Sequence, residues 1–321
     1  MKILVTGGSG FLGSRLLHEL VKDGHEVFAL ARSAASDEKV RALGATSVRG
    51  DLENPERLAL PAIDAVIHAA ARFRFAGPRE PYFRTNVTGT RVLLDASYAS
   101  GAKTFVYVSA AGVIMDDRGS PIRDADETAL TRPDSFSGYL ASKTQGEAAV
   151  LAADKPGFRT IALRPSAIWG PGDSFSREIP DAVGSGRFAF VNRGDYRFST
   201  CHVDNVVEAV RLAIDHGTGG RAYFINDRET TTFRDFIAKL AQLQGLSIEK
   251  VRSIPYRLAF TLGRLMEIGA TLVRSDNDPP LTRSMVRMIG REMTTNDAAA
   301  RRDLGYVGKV SRADGLAAYS V

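Results

Sequence analysis

Short apolar segments alternate with amphipathic segments along the first half of the chain. The apolar segments are Ile3–Val5, Glu26–Ala31, Thr46–Arg49, Ala65–His68, Thr104–Ser109 and Thr160–Arg164. Their apolar positions run together, which is typical of strands buried on both faces of a parallel sheet. The segments between them have the pattern of helices, notably 81–100 and 137–153. This order predicts an α/β fold, a doubly wound parallel sheet of the Rossmann type.

The pattern changes after about residue 170, where glycine and proline become frequent and the elements become shorter. Helices are expected near 203–215, 232–244, 256–272 and 281–289. We therefore predict a Rossmann core over 1–170 and a mixed lobe over 171–321, with some segments of the lobe returning to the core. Ligands of open α/β sheets bind beyond the carboxyl ends of the strands, so such a lobe would wall a substrate cleft.

The first strand leads directly into a glycine-rich turn and then into an amphipathic helix over 11–21. Gly7 allows a tight turn, Gly10 lets the backbone approach a diphosphate, and Gly13 lets the helix pack close to the sheet. The diphosphate would sit on the free N–H groups and positive dipole end of that helix. Because the glycines follow a strand and open a helix, they predict dinucleotide binding.

The residues after the second strand bear on the choice of nicotinamide cofactor. An acid there would bond the ribose 2′-hydroxyl and repel a 2′-phosphate. This chain instead has Arg32, whose guanidinium can grip a phosphate, and Ser33, which adds a hydroxyl. We predict a preference for NADP(H), with NAD(H) as the alternative if Arg32 is only a surface arginine. Asp51 and Leu52 are expected near the adenine, although Asp51 is also a residue type that caps helices.

Tyr139 and Lys143 lie four residues apart in a predicted helix, so their side chains share one face. A tyrosine hydroxyl has a pKa of about 10, too high for a base near neutral pH. A neighbouring ammonium, together with a positive nicotinamide, favours the phenolate. Tyr139 is therefore predicted to exchange a proton with an alcohol or carbonyl oxygen, and Lys143 to lower the pKa of Tyr139 and hold the ribose.

With these residues in place, the chain resembles the extended short-chain dehydrogenase/reductases over nearly its whole length. The resemblance rests on Thr6-Gly7-Gly8-Ser9-Gly10-Phe11-Leu12-Gly13, Asp51-Leu52, His68-Ala69-Ala70, Asn86-Val87, Tyr139-x-x-x-Lys143, Leu163-Arg164-Pro165, Trp169-Gly170-Pro171-Gly172-Asp173 and His202-Val203-Asp204-Asn205. The segments 279–283 and 304–306 are similar to the branch that contains 3β-hydroxysteroid and sterol dehydrogenases. The resemblance implies a nicotinamide-dependent oxidoreductase.

The resemblance also implies roles by position. Further cofactor contacts are implied for Phe11, Leu12, Ala69, Ala70 and Ser166. Asn86 would tie the fourth and fifth strand regions together, a structural role, and Arg164 and Pro165 would lead the chain along the nicotinamide side. Asp204, at the start of a predicted helix, is expected to cap that helix.

One position departs from the family pattern, which has two adjacent hydroxyl residues after the fifth strand. Ser109 matches the first, but the second, which bonds the substrate oxygen, is Ala110 and cannot donate. Because side chains alternate along a strand, Ser109 replaces the missing donor only if a bulge turns it inward. Losing such a donor costs on the order of 10²–10³ in rate, so cofactor binding without catalysis stays an alternative.

Two phenylalanines in the loop 72–78, Phe73 and Phe75, follow the fourth strand at the rim of the expected cleft. Apolar walls suit an apolar ligand, and Phe175, Phe188, Phe190, Phe198 and the helix 258–272 are further candidates for the wall. We predict interconversion of a secondary alcohol and a ketone on an apolar, steroid-like small molecule. The alternatives are a nucleotide-sugar epimerase or dehydratase, whose substrate diphosphate could use Arg177, Arg187, Arg193 and Arg197, and a non-catalytic NADP(H)-binding sensor or assembly protein.

The composition and charge of the chain exclude few of the remaining functional classes. The net charge of +5 is spread over 321 residues, which favours a solvated surface over nucleic-acid binding. The single cysteine, Cys201, excludes an intrachain disulfide and fits a reducing, cytoplasmic location. No apolar segment is long enough to span a membrane, and the nearest, 258–273, is typical of an amphipathic helix. No metal is expected, and the resemblance implies a homodimer formed through the helix of Tyr139.

Overall fold

The computed structural model describes residues 1–54, 58–273 and 277–320. Its strands are β1 Lys2–Thr6, β2 Glu26–Ala31, β3 Thr46–Arg49, β4 Ala65–His68, β5 Thr104–Val108, β6 Ile122–Ala125, β7 Arg159–Pro165, β8 Ala167–Trp169, β9 Phe190–Val191, β10 Arg197–Phe198, β11 Thr200–His202, β12 Arg221–Ile225, β13 Thr231–Thr232, β14 Ser253–Ile254 and β15 Met293–Thr295. Its α-helices are α1 Phe11–Lys22, α2 Ala34–Ala42, α3 Glu80–Phe83, α4 Thr90–Ala99, α5 Gly138–Ala152, α6 Phe175–Gly184, α7 Val203–His216, α8 Phe233–Leu243, α9 Tyr256–Leu272, α10 Arg283–Ile289, α11 Ala298–Leu304 and α12 Arg312–Ala317.

Seven strands form one parallel sheet in the order β12-β7-β5-β4-β1-β2-β3. From β1, the strands β2 and β3 are added toward one edge of the sheet. From β4, the strands β5, β7 and β12 are added toward the other edge, so the strand order reverses between β1 and β4. This is the doubly wound architecture predicted from the sequence. The carboxyl ends of β1 and β4, with Thr6 beside His68, mark the crevice where such sheets bind their ligands.

The sheet is covered on both faces, which explains the continuous apolar runs in its strands. On one face Ile3 and Val5 pack with Leu16 of α1 and Val206 of α7. On the other face residues such as Leu4 and Phe105 pack with the inward sides of α4 and α5. Neighbouring residues of one strand thus face two different helical layers. Because both faces are buried, a central strand contains few polar residues.

The second half of the chain contributes to the main sheet and also builds smaller ones. β12 pairs with β7 at the edge of the main sheet, and α7 packs on its face. The remaining strands form a four-stranded sheet, β13-β10-β15-β6, and two pairs, β11-β8 and β14-β9. Among the described residues no helix has both the length and the apolar character needed to cross a membrane.

One predicted helix is divided in the structure, and the ends of several other elements differ from the prediction by one or two residues. The helix expected over 81–100 is divided into α3, a π-helical segment Arg84–Gly89 and α4. At Gly89 an added Cβ would lie 2.5 Å from the carbonyl oxygen of Leu52, so this segment packs directly on the backbone after β3. The fifth strand ends at Val108, one residue before the predicted end, because a 3₁₀ helix begins at Ala111.

Candidate active site

The turn after β1 depends on glycines for its close backbone contacts. Gly7 has φ of +76°, and an added Cβ would lie 2.8 Å from the backbone nitrogen of Ala70. At Gly13 an added Cβ would lie 2.0 Å from the carbonyl oxygen of Gly7, so α1 packs against the turn itself. No side chain caps α1 at Gly10, which leaves the first-turn N–H groups available to an anion. The turn therefore fits the diphosphate of a dinucleotide.

A cleft of about 660 Å³, named here the switch-point cleft, opens beside this turn. Eight of the predicted cofactor residues line it, namely Gly7, Gly10, Arg32, Ser33, Asp51, Leu52, Ala69 and Ala70. Phe11, Leu12 and Gly13 form the first turn of α1 directly after Gly10. Residues that follow four different strands thus meet where the strand order reverses, as expected of a dinucleotide site.

Arg32 is already paired at the far end of this cleft. Its guanidinium donates to Glu53 Oε1 over 3.2 Å, and Arg72 donates to the same oxygen over 3.4 Å. Asp51 accepts hydrogen bonds from the backbone N–H of Glu53 and the side chain of Asn54, so it stabilises the turn after β3. Glu53 therefore places a carboxylate beside the arginine that the sequence assigns to a 2′-phosphate.

Two residues at this end, Ser36 and Lys39, were missed by sequence reasoning. Ser33 caps α2 in a reciprocal pair with Ser36, and Ser36 and Lys39 also line the switch-point cleft. A signal was available, because Ser33, Ser36 and Lys39 follow one another at intervals of three and so share one face of α2. Two hydroxyls and an ammonium thus stand near Arg32 at the start of a helix.

Tyr139 and Lys143 lie on α5 and do not themselves line the switch-point cleft. The Lys143 side chain is buried, with Nζ donating to the carbonyl oxygen of Val108 over 2.6 Å and lying 4.0 Å from the ring centre of Tyr107. The Tyr139 ring contacts the Phe73 ring, whose residue lines the switch-point cleft, at a centroid distance of 4.7 Å. Tyr139 is therefore adjacent to the cleft.

The sequence predicts that Lys143 lowers the pKa of Tyr139, but the protein by itself shifts that pKa upward. Burial raises the pKa of Tyr139 to about 12. Burial also lowers the pKa of Lys143 to about 7, against the opposing effect of the Glu147 carboxylate. The lysine charge is therefore weakened by its own burial, and desolvation of the phenol dominates. At neutral pH the Tyr139 hydroxyl keeps its proton.

Asn86 connects the loop after β4 to the helix that carries Tyr139. Its Oδ1 accepts the N–H of Arg72 over 2.7 Å, and its Nδ2 donates to the carbonyl oxygen of Arg72 and to Ser142 Oγ. At Gly146 of α5 an added Cβ would lie 2.5 Å from the Asn86 carbonyl oxygen. The linking role implied by the resemblance therefore has a structural basis, and the π-helical segment presents Asn86 to α5.

His68 lies in a buried hydrogen-bond chain beneath the glycine turn. The Ala70 N–H donates to Thr6 Oγ1, which is 2.7 Å from His68 Nδ1. On the other side His68 Nε2 is 2.9 Å from Thr90 Oγ1, which donates to the carbonyl oxygen of Asn86. Because the Thr90 hydrogen is used, Nε2 must donate and Nδ1 must accept. The chain thus holds a neutral histidine with one defined tautomer.

We expect this histidine to make stability depend on pH. Burial, with a smaller effect of Lys143, lowers the pKa of His68 from 6.5 to about 3. Between pH 6.5 and about 3, His68 is protonated in the unfolded chain and neutral in the folded chain. The free energy of unfolding therefore falls as the pH drops toward 3. In His68→Gln this fall should be less steep, by up to about 1.4 kcal/mol per pH unit.

Denaturant unfolding at several pH values measures this difference. The control is His18→Gln, since the His18 side chain is exposed and its loss should leave the slope unchanged. Equal slopes for His68→Gln and the wild type would contradict a neutral buried His68.

The structure leaves Ser109 with a buried hydroxyl that has no hydrogen-bond partner among the described residues. β5 pairs with β7 in regular register up to Val108 opposite Leu163, and the N–H of Ser109 donates to the Leu163 carbonyl oxygen. The bulge considered from the sequence is thus not found along β5. Ala110 is extended, with φ of −155°. Ser109 keeps an unused donor, and Ala110 offers none.

Three further expectations need correction or refinement. The Ser166 hydroxyl donates to Asn226 and its backbone N–H donates to the Ile225 carbonyl oxygen, so both donors are used within the protein, and its cofactor contact stays a prediction. Arg164 is buried and makes a bidentate pair with Glu147 of α5, which gives it a structural role, and its position on the nicotinamide side stays a prediction. The prediction that Asp204 caps α7 is wrong.

The cap of α7 is a histidine. The His202 ring accepts the N–H of Asp204 over 3.3 Å. The Asp204 carboxylate instead pairs with the Arg15 guanidinium of α1. The carboxylate therefore links α1 to α7, a contact between helices far apart in sequence that local sequence reasoning could not foresee.

The loop 72–78 stands at the rim of the switch-point cleft and is fixed from the C-terminal half. Asp278 accepts the N–H groups of Phe75 and Ala76 and pairs with the Arg74 guanidinium. A second cavity of about 790 Å³, named here the rim cavity, lies between this loop and α9. Phe73 contacts both Phe75 and Tyr139, so the two phenylalanines form an apolar border beside Tyr139.

The other predicted wall residues have a different place. Phe190 and Phe198 are buried in a second hydrophobic core, and Phe175 and Phe188 pack against it. The side chains of α9 that line the rim cavity include Ile268 and Leu272. In the described chain, Arg177, Arg187, Arg193 and Arg197 are absent from the lining of both the switch-point cleft and the rim cavity. The basic groups considered for a sugar diphosphate therefore lie elsewhere.

Comparisons with known proteins agree with this arrangement. The chain is 40% identical over 320 residues to a 4-hydroxy-2-methyl-3-oxo-4-farnesyl-3,4-dihydroquinoline-1-oxide ketoreductase of Stigmatella aurantiaca, covering 98% of this chain and 95% of that protein. It is 34% identical to a 2-alkyl-3-oxoalkanoate reductase of Stenotrophomonas maltophilia, covering 98% and 97%. A solved UDP-glucose 4-epimerase of Thermotoga maritima shares the fold, with a TM-score of 0.76 at 22% identity, covering 99% of this chain and 97% of that one.

The model of the 3-beta hydroxysteroid dehydrogenase/isomerase family matches residues 4–256. The match spans the glycine turn, the switch-point cleft and α5. On this evidence the chain belongs to the 3-beta hydroxysteroid dehydrogenase/isomerase family, within the extended short-chain dehydrogenases/reductases.

Proposed function

We propose that this protein is an NADPH-preferring reductase that converts a ketone of an apolar small molecule into a secondary alcohol. The observation that carries the proposal is the position of Tyr139. The phenol lies on α5, with Lys143 one helical turn further on, and its ring contacts Phe73 at the border of the switch-point cleft. The two relatives named above are a ketoreductase and an oxoalkanoate reductase, and their names include a farnesyl and an alkyl group.

The protonation state of Tyr139 is compatible with the role of proton donor in a reduction. With a pKa raised to about 12, the phenol carries a proton that it can donate to a carbonyl oxygen. A reduced nicotinamide, when bound, would supply the hydride for the carbonyl carbon and would itself become oxidised. Lys143 holds its ammonium beside the Val108 carbonyl, from where it can bind ribose hydroxyls, and Ser109 retains a free hydroxyl. The carbon gains the hydride, the oxygen gains the proton, and the product is the alcohol.

The proposal is tested by mixing the purified protein with NADPH and a panel of lipophilic ketones and 2-alkyl-3-oxo acids. The expected result is loss of NADPH absorbance together with formation of a secondary alcohol. Copurification of a tightly bound dinucleotide with no net NADPH consumption would favour an epimerase or dehydratase. No turnover with any ketone would favour the non-catalytic sensor.

The preference for NADPH predicts a selective effect of Arg32→Ala. A 2′-phosphate would gain the Arg32 guanidinium, the Ser36 hydroxyl and the Lys39 ammonium, which all border the cleft. We expect the dissociation constant of NADPH to rise about 10- to 100-fold and that of NADH to change less than about threefold. Fluorescence titration with both dinucleotides measures the two values.

Glu53→Gln supplies the matched test in the opposite direction. Glu53 competes for the Arg32 guanidinium, so removing its charge should tighten NADPH binding by about two- to tenfold, a modest gain because the Arg32 side chain is exposed. Equal changes for NADPH and NADH in either variant would show that Arg32 does not contact the 2′-phosphate.

The predicted homodimer and cytoplasmic location are further parts of this proposal. The dimer rests on the resemblance, which implies pairing through the helix of Tyr139, α5 in this structure. Light scattering of the purified protein tests it, and a monomer at micromolar concentration would contradict it.

A further inference from the structure

Glu147 and Arg164 form an ion pair inside the protein, between α5 and β7. The Arg164 Nε–H donates to both carboxylate oxygens over 3.1 Å, and Nη2 donates to Oε1 over 2.6 Å. The two side chains are 3% and 5% exposed. Arg164 Nη1 is buried and has no partner among the described residues, so Glu147 accepts every hydrogen bond that this side chain donates there.

An ion pair in the interior adds little to stability by itself. Removing two charges from water costs about as much as their attraction returns, and apolar side chains of similar volume often stabilise a fold equally well. The residues before Arg164 on β7, Ala162 and Leu163, are apolar and fully buried. A buried pair of charges beside them therefore points to an electrostatic function.

The pair lies one helical turn from Lys143. Residues four apart on a helix share one face, and both Lys143 and Glu147 are buried. The Lys143 ammonium contacts the end of β5 through the Val108 carbonyl oxygen, and Glu147 contacts β7 through Arg164. Because Val108 stands opposite Leu163, the residue before Arg164, α5 is anchored at adjacent positions of two neighbouring strands.

Glu147 supplies the negative charge that acts on Lys143. Burial lowers the pKa of Lys143 to about 7, and Glu147 opposes that shift. The other titratable groups that face this lysine are the phenols of Tyr107 on β5 and Tyr139 on α5, and the imidazole of His68 on β4. Burial raises the pKa of both phenols and lowers the pKa of His68 to about 3, so all three are uncharged near neutral pH.

We propose that Glu147 is a positioning residue for Lys143, and that its negative charge, held in place by Arg164, keeps the Lys143 ammonium charged while the protein works. Because Arg164 binds the carboxylate from β7, the carboxylate does not draw Lys143 away from the Val108 carbonyl oxygen. A charged Lys143 donates stronger hydrogen bonds to ribose hydroxyls than a neutral amine does. The use of this charge in cofactor binding rests on the proposed function, whereas the effect of Glu147 on Lys143 does not.

The experiment is an NMR titration of isotope-labelled lysine side chains in the full-length protein without cofactor. The Lys143 signal is identified by its loss in Lys143→Met. Glu147→Gln removes the charge and keeps the size of the side chain, so the titration midpoint of Lys143 should fall by about one pH unit. Glu147→Asp keeps the charge and should leave the midpoint within about half a pH unit of the wild-type value.

Two further variants guard against a loss of folding. Glu147→Gln leaves the buried Arg164 charge without a partner, which is destabilising. Glu147→Gln/Arg164→Met removes both charges and should also lower the midpoint of Lys143. The matched control is Glu208→Gln, at a buried carboxylate that accepts the N–H groups of Val307 and Lys309. Its loss should lower stability and leave the midpoint of Lys143 unchanged.

The same charge predicts a pH-dependent effect on cofactor binding. In Glu147→Gln the dissociation constant of NADPH should rise about twofold near pH 6 and about tenfold near pH 8, because less Lys143 is charged at the higher pH. A purely structural role of the pair would weaken binding equally at both pH values. Fluorescence titration of wild type, Glu147→Gln and Glu147→Asp gives the comparison.

Two outcomes would overturn the proposal. One is the same midpoint of Lys143 in the wild type, Glu147→Gln and the double variant. The other is a midpoint that falls as far in Glu147→Asp as in Glu147→Gln, which would assign the effect to the shape of the side chain. A lowered midpoint in Glu147→Gln supports the proposal even if the wild type turns over no ketone, and that absence of turnover would count against the proposed function alone.

Discussion

Tyr139→Phe is expected to lower the rate of ketone reduction by about 10²–10⁴-fold while NADPH binds as before. The substitution removes one oxygen and keeps the ring, so the contact with Phe73 persists. The phenol is the proton donor in the proposed reaction, and its pKa of about 12 keeps it protonated at neutral pH. Steady-state kinetics gives the rate, and fluorescence titration gives the dissociation constant of NADPH.

Tyr98→Phe is the matched control for this experiment. Tyr98 is half exposed on α4, in contact with Lys155 and Phe158, and its hydroxyl has no part in the proposed reaction. Its removal should leave turnover within about twofold. Retention of more than about a tenth of the activity in Tyr139→Phe would show that another group donates the proton.

Gly13→Ala is expected to have the largest effect on the cofactor site. The new methyl carbon would lie 2.0 Å from the carbonyl oxygen of Gly7, far inside van der Waals contact, so α1 or the glycine turn must move. Overpacking costs typically 1–3 kcal/mol and more where backbone must shift, so we expect a loss of about 3 kcal/mol in the free energy of unfolding. The affinity for NADPH should fall at least about tenfold, because the turn that contacts the diphosphate is displaced.

The same substitution at Gly269 separates this clash from a general effect of alanine. Apart from the backbone of α9 itself, no atom of the described residues lies within 4 Å of a Cβ added at Gly269, so Gly269→Ala should be neutral or stabilise the protein by up to about 1 kcal/mol. Denaturant unfolding and NADPH titration of both variants give the comparison. A Gly13→Ala protein with wild-type stability and affinity would mean that the turn and α1 are not in such close contact.

The main sheet could be predicted because its signals are local. Each strand is a short apolar run whose two faces are both buried, and the glycines of the first turn report contacts with their immediate neighbours. The division of the helix 81–100 was not foreseeable from the local pattern, and the π-helical segment packs at Gly89 on the Leu52 backbone. That contact joins segments that are distant in the sequence.

The candidate site was predictable to the extent that position along a strand determines it. Residues that end β1 to β4 meet at one edge, as expected. What could not be predicted is which partner each side chain selects. Glu53 pairs with Arg32, Arg164 with Glu147 and Asp204 with Arg15, and each partner is set by tertiary packing, about which a single sequence carries no distance information.

The packing of Phe73 on Tyr139 has a consequence for substrate choice. A ring or alkyl chain that packs on Tyr139 from the cleft side takes the place of the Phe73 ring, so one dispersion interaction replaces another and the net change in enthalpy is small. A strongly hydrated substrate would lose water on entry and displace the same ring, and no comparable attraction to the phenol would compensate for that loss. The half-exposed Phe73 thus covers a face of the phenol ring where an apolar group would replace it at a smaller energetic cost than a strongly hydrated group.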